Sequence, residues 1–227
     1  MRESLSQRLA VIRKEIEGAA QTAGRNPQEI KLVAVSKTHS AETISEAIKA
    51  GLTIFGENKI QEAETKINKI GCEKAEWHLI GHLQSNKARK AVRLFDMIHS
   101  LDSLELAERL ERICFEEGRS ELTVLVQVDL ANEATKNGIK EEALPPLIEF
   151  LQNCKCLKFQ GLMTLPPYFD DAEKVRPFFI KLCKLRDKIC PNGELSMGMS
   201  HDFAVAIEEG ATIIRVGTAI FGERFSK

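Results

Sequence analysis

The sequence predicts an α/β protein, a closed (β/α)8 or TIM barrel with one extra helix at its N-terminus. Three observations lead there. Short apolar β-like runs alternate with amphipathic helical stretches eight times, and a helix with no strand before it comes first. The length of 227 residues is at the lower end of what eight such units occupy. An open doubly wound sheet would usually place a Gly-rich dinucleotide turn after its first strand, and none is present. No linker rich in Pro, Gly or Ser and no internal repeat divides the chain, so residues 1–227 are read as one domain.

Each element has a local reason. Leu5, Leu9, Ile12, Ile16 and Ala19 fall on one face of the opening helix. A strand over 32–36 is followed by a helix that Ser40 can cap and that runs to about Ala50. Strand 52–55 leads to a helix near 58–69, strand 77–80 to one near 86–94, and strand 96–99 to one near 103–117. The β-branched run 122–128 precedes a helical stretch over 140–152, where Pro145 and Pro146 are tolerated only in the first turn. Strand 157–162 leads to a helix near 171–189 with Val175, Phe178, Phe179, Leu182, Leu185 and Ile189 as its apolar stripe. Strand 194–196, a helix near 202–209, strand 212–216 and a short helix from Thr218 complete the series.

The bulk composition excludes several function classes. Lys and Arg total 32 against 33 Asp and Glu, a formal net charge of -1, which argues against a nucleic-acid binder working by bulk charge. The start Met1-Arg2-Glu3-Ser4 lacks the apolar core of a signal peptide, and no apolar stretch is long enough to cross a bilayer. The cysteines at 72, 114, 154, 156, 183 and 190 form no CxxC pair, and Cys154-Lys155-Cys156 is too tight a spacing for zinc. Reduced thiols, no metal and a cytoplasmic location are expected.

Chemistry in such barrels sits at the C-terminal ends of the strands. Those ends carry Ser36-Lys37-Thr38, Gly56-Glu57-Asn58, Gly81-His82, His99-Ser100, Asp129, Gly161 to Thr164, Ser196 to Ser200, and Arg215-Val216-Gly217-Thr218. Lys37 ends an apolar strand on a charge. Desolvation there lowers an amine's pKa, and a neutral amine attacks carbonyls; a solvated lysine opening a loop is the plainer alternative. The loops after strands seven and eight often hold phosphate, and here Ser200 and Thr218 offer hydroxyls while Gly217 permits close backbone approach. An ordinary helix cap at each place is the competing reading. A lysine combined with a dianion site suits a phosphorylated aldehyde, and pyridoxal 5'-phosphate (PLP) fits that description. Arg215 is expected to point toward the barrel mouth, either in a structural ion pair or against a pyridine nitrogen. In the second case its guanidinium can only donate, which weakens the ring as an electron sink.

These segments resemble, nearly end to end, the YggS/PROSC family of pyridoxal-phosphate homeostasis proteins, also called alanine racemase N-terminal-like. The resemblance rests on Leu32 to Thr38, on Phe55-Gly56-Glu57-Asn58 with Gln61-Glu62, and on Trp77 to Lys87. It continues through Asn132 with Lys136 and Gly138, Gly161-Leu162-Met163, Leu195 to Ser200 with Asp202, and Arg215 to Gly222. Leu79 stands where the family commonly has phenylalanine. The resemblance implies a fold-type III barrel, usually monomeric, that holds PLP as a Schiff base on Lys37. It further implies that Ser200, Gly217 and Thr218 bind the phosphate, that Arg215 faces the pyridine nitrogen and that Asn58 lines the pocket. His82 borders the pocket or lies on the surface.

The resemblance implies a non-catalytic binder that stores PLP or passes it to apo-enzymes. An amino-acid racemase is the alternative, but it needs a proton acceptor on each face of its substrate and Lys37 supplies one. In alanine racemase the second is a tyrosine from an additional β-domain. The sole tyrosine here, Tyr168, follows Pro166-Pro167 in a loop, where packing within that loop is the simpler role, although a place in the pocket stays open. A Schiff-base aldolase explains Lys37 and the phosphate loops but not the resemblance.

Overall fold

The computed structural model describes residues 3–131 and 137–222. Its strands are β1 (Lys31–Val35), β2 (Ile54–Glu57), β3 (Glu76–Leu79), β4 (Met97–Leu101), β5 (Leu122–Gln127), β6 (Leu157–Met163), β7 (Glu194–Ser196) and β8 (Ile213–Val216). They close in sequence order into a parallel barrel, with Leu32 opposite Ile214 and Ala34 opposite Val216 where β8 returns to β1. The helices are α1 (Leu5–Thr22), α2 (Ala41–Lys49), α3 (Ile60–Ile70), α4 (Ala88–Leu94), α5 (Leu104–Glu116), α6 (Leu144–Asn153), α7 (Arg176–Ile189), α8 (Phe203–Glu208) and α9 (Thr218–Phe221).

Alternation along each strand separates two apolar populations. Ala34, Phe55, Trp77, Ile98, Val124, Leu162 and Ile214 point out and form the larger core with the surrounding helices. Val33, Met97, Leu125, Met163 and Ile213 point in and fill the barrel. Two residues further along the inward faces, the packing turns polar: His99, Gln127 and Arg215 are all buried. The extra helix α1 is joined to the C-terminal part of the chain. Arg25 donates to the carbonyls of Ile207 and Ala211 at 2.9 and 2.8 Å, and Arg8 to that of Ile220 at 2.7 Å.

The sequence expectations hold with local shifts. Ser40 Oγ accepts from the Thr43 N–H at 3.3 Å and caps α2. Pro145 and Pro146 fall in the first turn of α6, where no backbone donor is needed. Strand two begins at Ile54 rather than at 52, because Gly51 (φ 89°) and Leu52 are used to end α2, with the Leu52 N–H donated to Ala47. Helix α7 starts at Arg176 after a separate 3-10 turn over Ala172–Val175, with Pro177 in its first turn. Of its expected stripe, Val175, Phe179 and Leu182 are buried, while Phe178, Leu185 and Ile189 are half-buried against the core.

Candidate cofactor site

A cavity of about 350 Å³ opens at the C-terminal ends of the strands. Lys37, Asn58, Ser200, Arg215, Gly217 and Thr218 all line it, so the six residues singled out in the sequence come to one place. A groove of about 420 Å³ lies at the other end of the barrel, between α1 and the starts of β1 and β2, away from all six.

Lys37 is half-buried in the turn after β1, and its position is set from behind by a charged cluster. Lys66 of α3, 5% exposed, donates to the Ser36 carbonyl at 2.7 Å, to Glu57 Oε1 at 2.6 Å and to Glu62 Oε1 at 2.6 Å. The Ser36 hydroxyl donates to Glu57 Oε1 at 2.6 Å, and the Thr38 N–H donates to the Glu62 carboxylate. Thr38 has φ 70°, a left-handed conformation that strains a β-branched residue. Both neighbours of Lys37 are therefore tied to one buried ammonium group and its carboxylates. Burial raises the Glu57 carboxyl above its ordinary range against the pull of Lys66 and Ser36. Burial acts the same way on Glu62, but Lys66 and the Thr38 N–H together hold that carboxyl below the ordinary value.

Arg215 lies inside the barrel at the cavity and is 3% exposed. It donates from Nη1 to Ser196 Oγ at 2.6 Å and from Nη2 to the Thr164 carbonyl at 2.9 Å. Burial lowers its pKa to about 10, with Asp202 opposing the change, so it stays cationic at neutral pH. Asp202 accepts the Met199 N–H at 2.6 Å and so fixes the loop that carries Ser200. Its own carboxyl is raised by burial, offset in part by that N–H and by Arg215. Ser200 Oγ in turn accepts the N–H groups of Gly217 and Ala219 at 3.2 and 3.5 Å, joining the loops after β7 and β8.

Asn58 carries the one cavity-lining polar atom that is buried without a hydrogen-bond partner among the described residues, its Oδ1. Gly81 explains how Asn58 reaches this position. A Cβ on Gly81 would lie 2.3 Å from the Asn58 carbonyl oxygen, so only glycine lets the end of β3 approach that closely.

The remaining expectations divide. Tyr168 lines the cavity, is 72% exposed as a residue and has its ring centred 5.5 Å from the ring of His201, which makes it a rim residue rather than loop packing. His82 is on the surface and pairs with Asp102 at 3.1 Å. Asn132 and Lys136 lie outside the described residues. Met199, in the strand-seven loop singled out in the sequence, also lines the cavity, whereas sequence reasoning missed His39, Ile80, Leu165 and His201 as lining residues. Proximity in sequence to Lys37 and Ser200 was the signal for His39 and His201.

The sequence pattern described as "Alanine racemase, N-terminal domain" matches residues 8–225. The chain belongs to that family. It is 42% identical over 223 residues to the pyridoxal phosphate homeostasis protein of Aquifex aeolicus, covering 96% of this chain and 97% of that one. Against the protein of the same name in Escherichia coli K12 it is 39% identical over 230 residues, covering 97% of each. Among solved structures, PipY of Synechococcus elongatus with PLP bound superposes with a TM-score of 0.84 at 39% identity, over 96% of this chain and 100% of that one.

Proposed function

We propose that this protein binds PLP in the strand-end cavity and serves intracellular PLP (vitamin B6) homeostasis as a carrier. The observation that carries the reading is the convergence of an amine, a hydroxyl-and-amide cradle and a cation on one cavity of about 350 Å³, a volume within the usual range for a small cofactor. The names of the relatives and the PLP bound to PipY support it. The donor set fits the group. Lys37 Nζ tethers the aldehyde carbon as a Schiff base, with loss of water. Ser200, Thr218 and the backbone around Gly217 hold the phosphate, and the unpartnered Asn58 Oδ1 accepts a hydrogen bond from the ligand. PLP supplies an electrophilic aldehyde on an electron-withdrawing ring. Arg215 donates to the pyridine nitrogen and keeps it unprotonated, which favours holding the group over stabilising a carbanion on it. On this reading the protein acts as a monomer that passes PLP to apo-enzymes in the cytoplasm.

The test is direct. Added PLP should produce a visible absorption band, and borohydride should then fix the ligand's mass on the peptide containing Lys37. A full-length folded protein that stays colourless and takes up no PLP sinks the proposal.

A weak racemase is the second reading, favoured by the place of Tyr168 and His201 on the rim. It predicts rapid exchange of the α-hydrogen of alanine or serine with deuterated water, lost on Tyr168→Phe. The carrier reading expects slow exchange that this substitution leaves unchanged.

A further inference from the structure

The buried guanidinium of Arg215 is held from below the cavity as well as at it. A guanidinium 3% exposed needs nearby negative charge or well-placed acceptors; Asp202 supplies nearby charge, while the two hydrogen-bond acceptors of Arg215, Ser196 Oγ and the Thr164 carbonyl, are neutral. From Ser196 a line of contacts runs on through the barrel interior. Ser196 Oγ lies 2.8 Å from His99 Nδ1, and His99 Nε2 lies 2.9 Å from His78 Nδ1. His78 Nε2 lies 2.7 Å from Glu76 Oε1 at the start of β3. Ser196 and His99 are fully buried, His78 is 1% exposed, and only the Glu76 side chain, 51% exposed, reaches solvent.

Donor counting gives this line one direction. Arg215 can only donate, so Ser196 Oγ accepts from it and its own hydrogen goes to His99 Nδ1. His99 then carries its proton on Nε2 and donates to His78 Nδ1, and His78 donates from Nε2 to the Glu76 carboxylate. Every hydrogen along the line from Ser196 to Glu76 has one acceptor, and both imidazoles are neutral Nε2–H tautomers. The opposite direction would need a second proton on His78 or a proton on Glu76, and would leave the Ser196 hydroxyl hydrogen without an acceptor among these contacts. Burial, with the neighbouring cation Arg215 acting in the same direction, also pushes His99 well below the ordinary imidazole range.

We propose that Glu76, His78, His99 and Ser196 are positioning residues for Arg215, a one-way hydrogen-bond chain that links a carboxylate at the N-terminal mouth of the barrel to the guanidinium at the cavity. Aligned bonds in a chain polarise one another, so each strengthens the next and the last holds Arg215 in one orientation. The further consequence, that the chain tunes how Arg215 meets the pyridine nitrogen, rests on the PLP reading.

Nitrogen-15 NMR of the ligand-free full chain tests the chain without any cofactor. The expected result is unprotonated Nδ1 and protonated Nε2 on both His78 and His99, with separate Nη signals from an immobilised Arg215. A proton on His99 Nδ1, or on both nitrogens of His78, overturns the direction. Ser196→Ala should merge the Arg215 Nη signals and place part of the His99 population in the Nδ1–H form. Glu76→Ala, a half-exposed site where a merely structural role would leave Arg215 untouched, should raise the Nδ1–H population of His78 and broaden Arg215. Arg215 signals unchanged in both variants overturn the positioning role. In the PLP-loaded protein, Ser196→Ala should weaken binding about tenfold, the worth of one hydrogen bond to a charged group. Failure of the unaltered protein to take up PLP would overturn the proposed function and leave the tautomer and Arg215 results standing.

Discussion

Lys66→Met is expected to cost the fold about 3 kcal/mol, because removing one partner of a buried ion pair strands the other. The stranded group is Glu57, fully buried, with its second oxygen already lacking a partner among the described residues. The raised pKa of Glu57 lets it take up a proton, which keeps the loss at the low end of the usual range. Glu57→Gln combined with Lys66→Met should therefore recover part of the loss, and a denaturant midpoint measured at constant slope reads both changes. The same substitution should weaken PLP capture although Lys66 does not line the cavity, since the Ser36 carbonyl loses its ammonium donor and Glu62, which accepts the Thr38 N–H, loses the ion-pair partner that holds it beside the Lys37 turn. Unchanged stability together with unchanged capture would show that the turn holds itself. Acid acts on the two carboxylates with opposite signs. Glu62 has a folded pKa below its unfolded value, so its contribution is complete above the ordinary glutamate range and is lost as pH falls through the folded pKa. Glu57 has a folded pKa above its unfolded value, so its contribution is present below the ordinary range and fades as pH rises through the folded pKa. Release of the turn in acid is therefore expected to follow Glu62.

The barrel was legible because each strand shows its own boundary. Val33 and Ile213 face in while Ala34 and Ile214 face out, and that two-residue period is written in the apolar runs. Polar residues at the strand ends then marked the cavity, and the six sites read there share it. What stayed hidden involves partners far apart in sequence. Lys66 reads as an ordinary solvated residue on a helix, and only closure of β1 beside β2 brings it behind Ser36. His99 reaches Ser196 from a strand 97 residues away, a pairing no local period records. Pro166-Pro167 favour loop packing for Tyr168 over the pocket, whereas the loop after β6 places it at the cavity rim.

Lys37→Met should abolish the visible band and the borohydride adduct while leaving PLP bound through its phosphate. Methionine keeps most of the lysine stem's apolar length, so the substitution isolates the amine without opening a large cavity. Capture should weaken by about 100-fold, close to 3 kcal/mol, because the covalent tether is lost and the non-covalent contacts of Ser200, Thr218 and Arg215 remain. Pyridoxal, which lacks the phosphate, removes the other half of the grip. In the unaltered protein the phosphate holds the aldehyde beside the amine and raises its effective concentration there, so pyridoxal should form the band far more weakly than PLP. In Lys37→Met the preference for PLP over pyridoxal should persist in equilibrium binding, since the cradle does not require the tether. Equal binding of the two ligands by the unaltered protein would remove the phosphate role from Ser200, Gly217 and Thr218. A borohydride adduct that survives in Lys37→Met would move the tether to another lysine. The carrier reading gains its sharpest support if both losses occur separately: a covalent hold that can be reversed, set beside a phosphate site that keeps the released ligand close, is the arrangement a protein needs to hold PLP and still give it up.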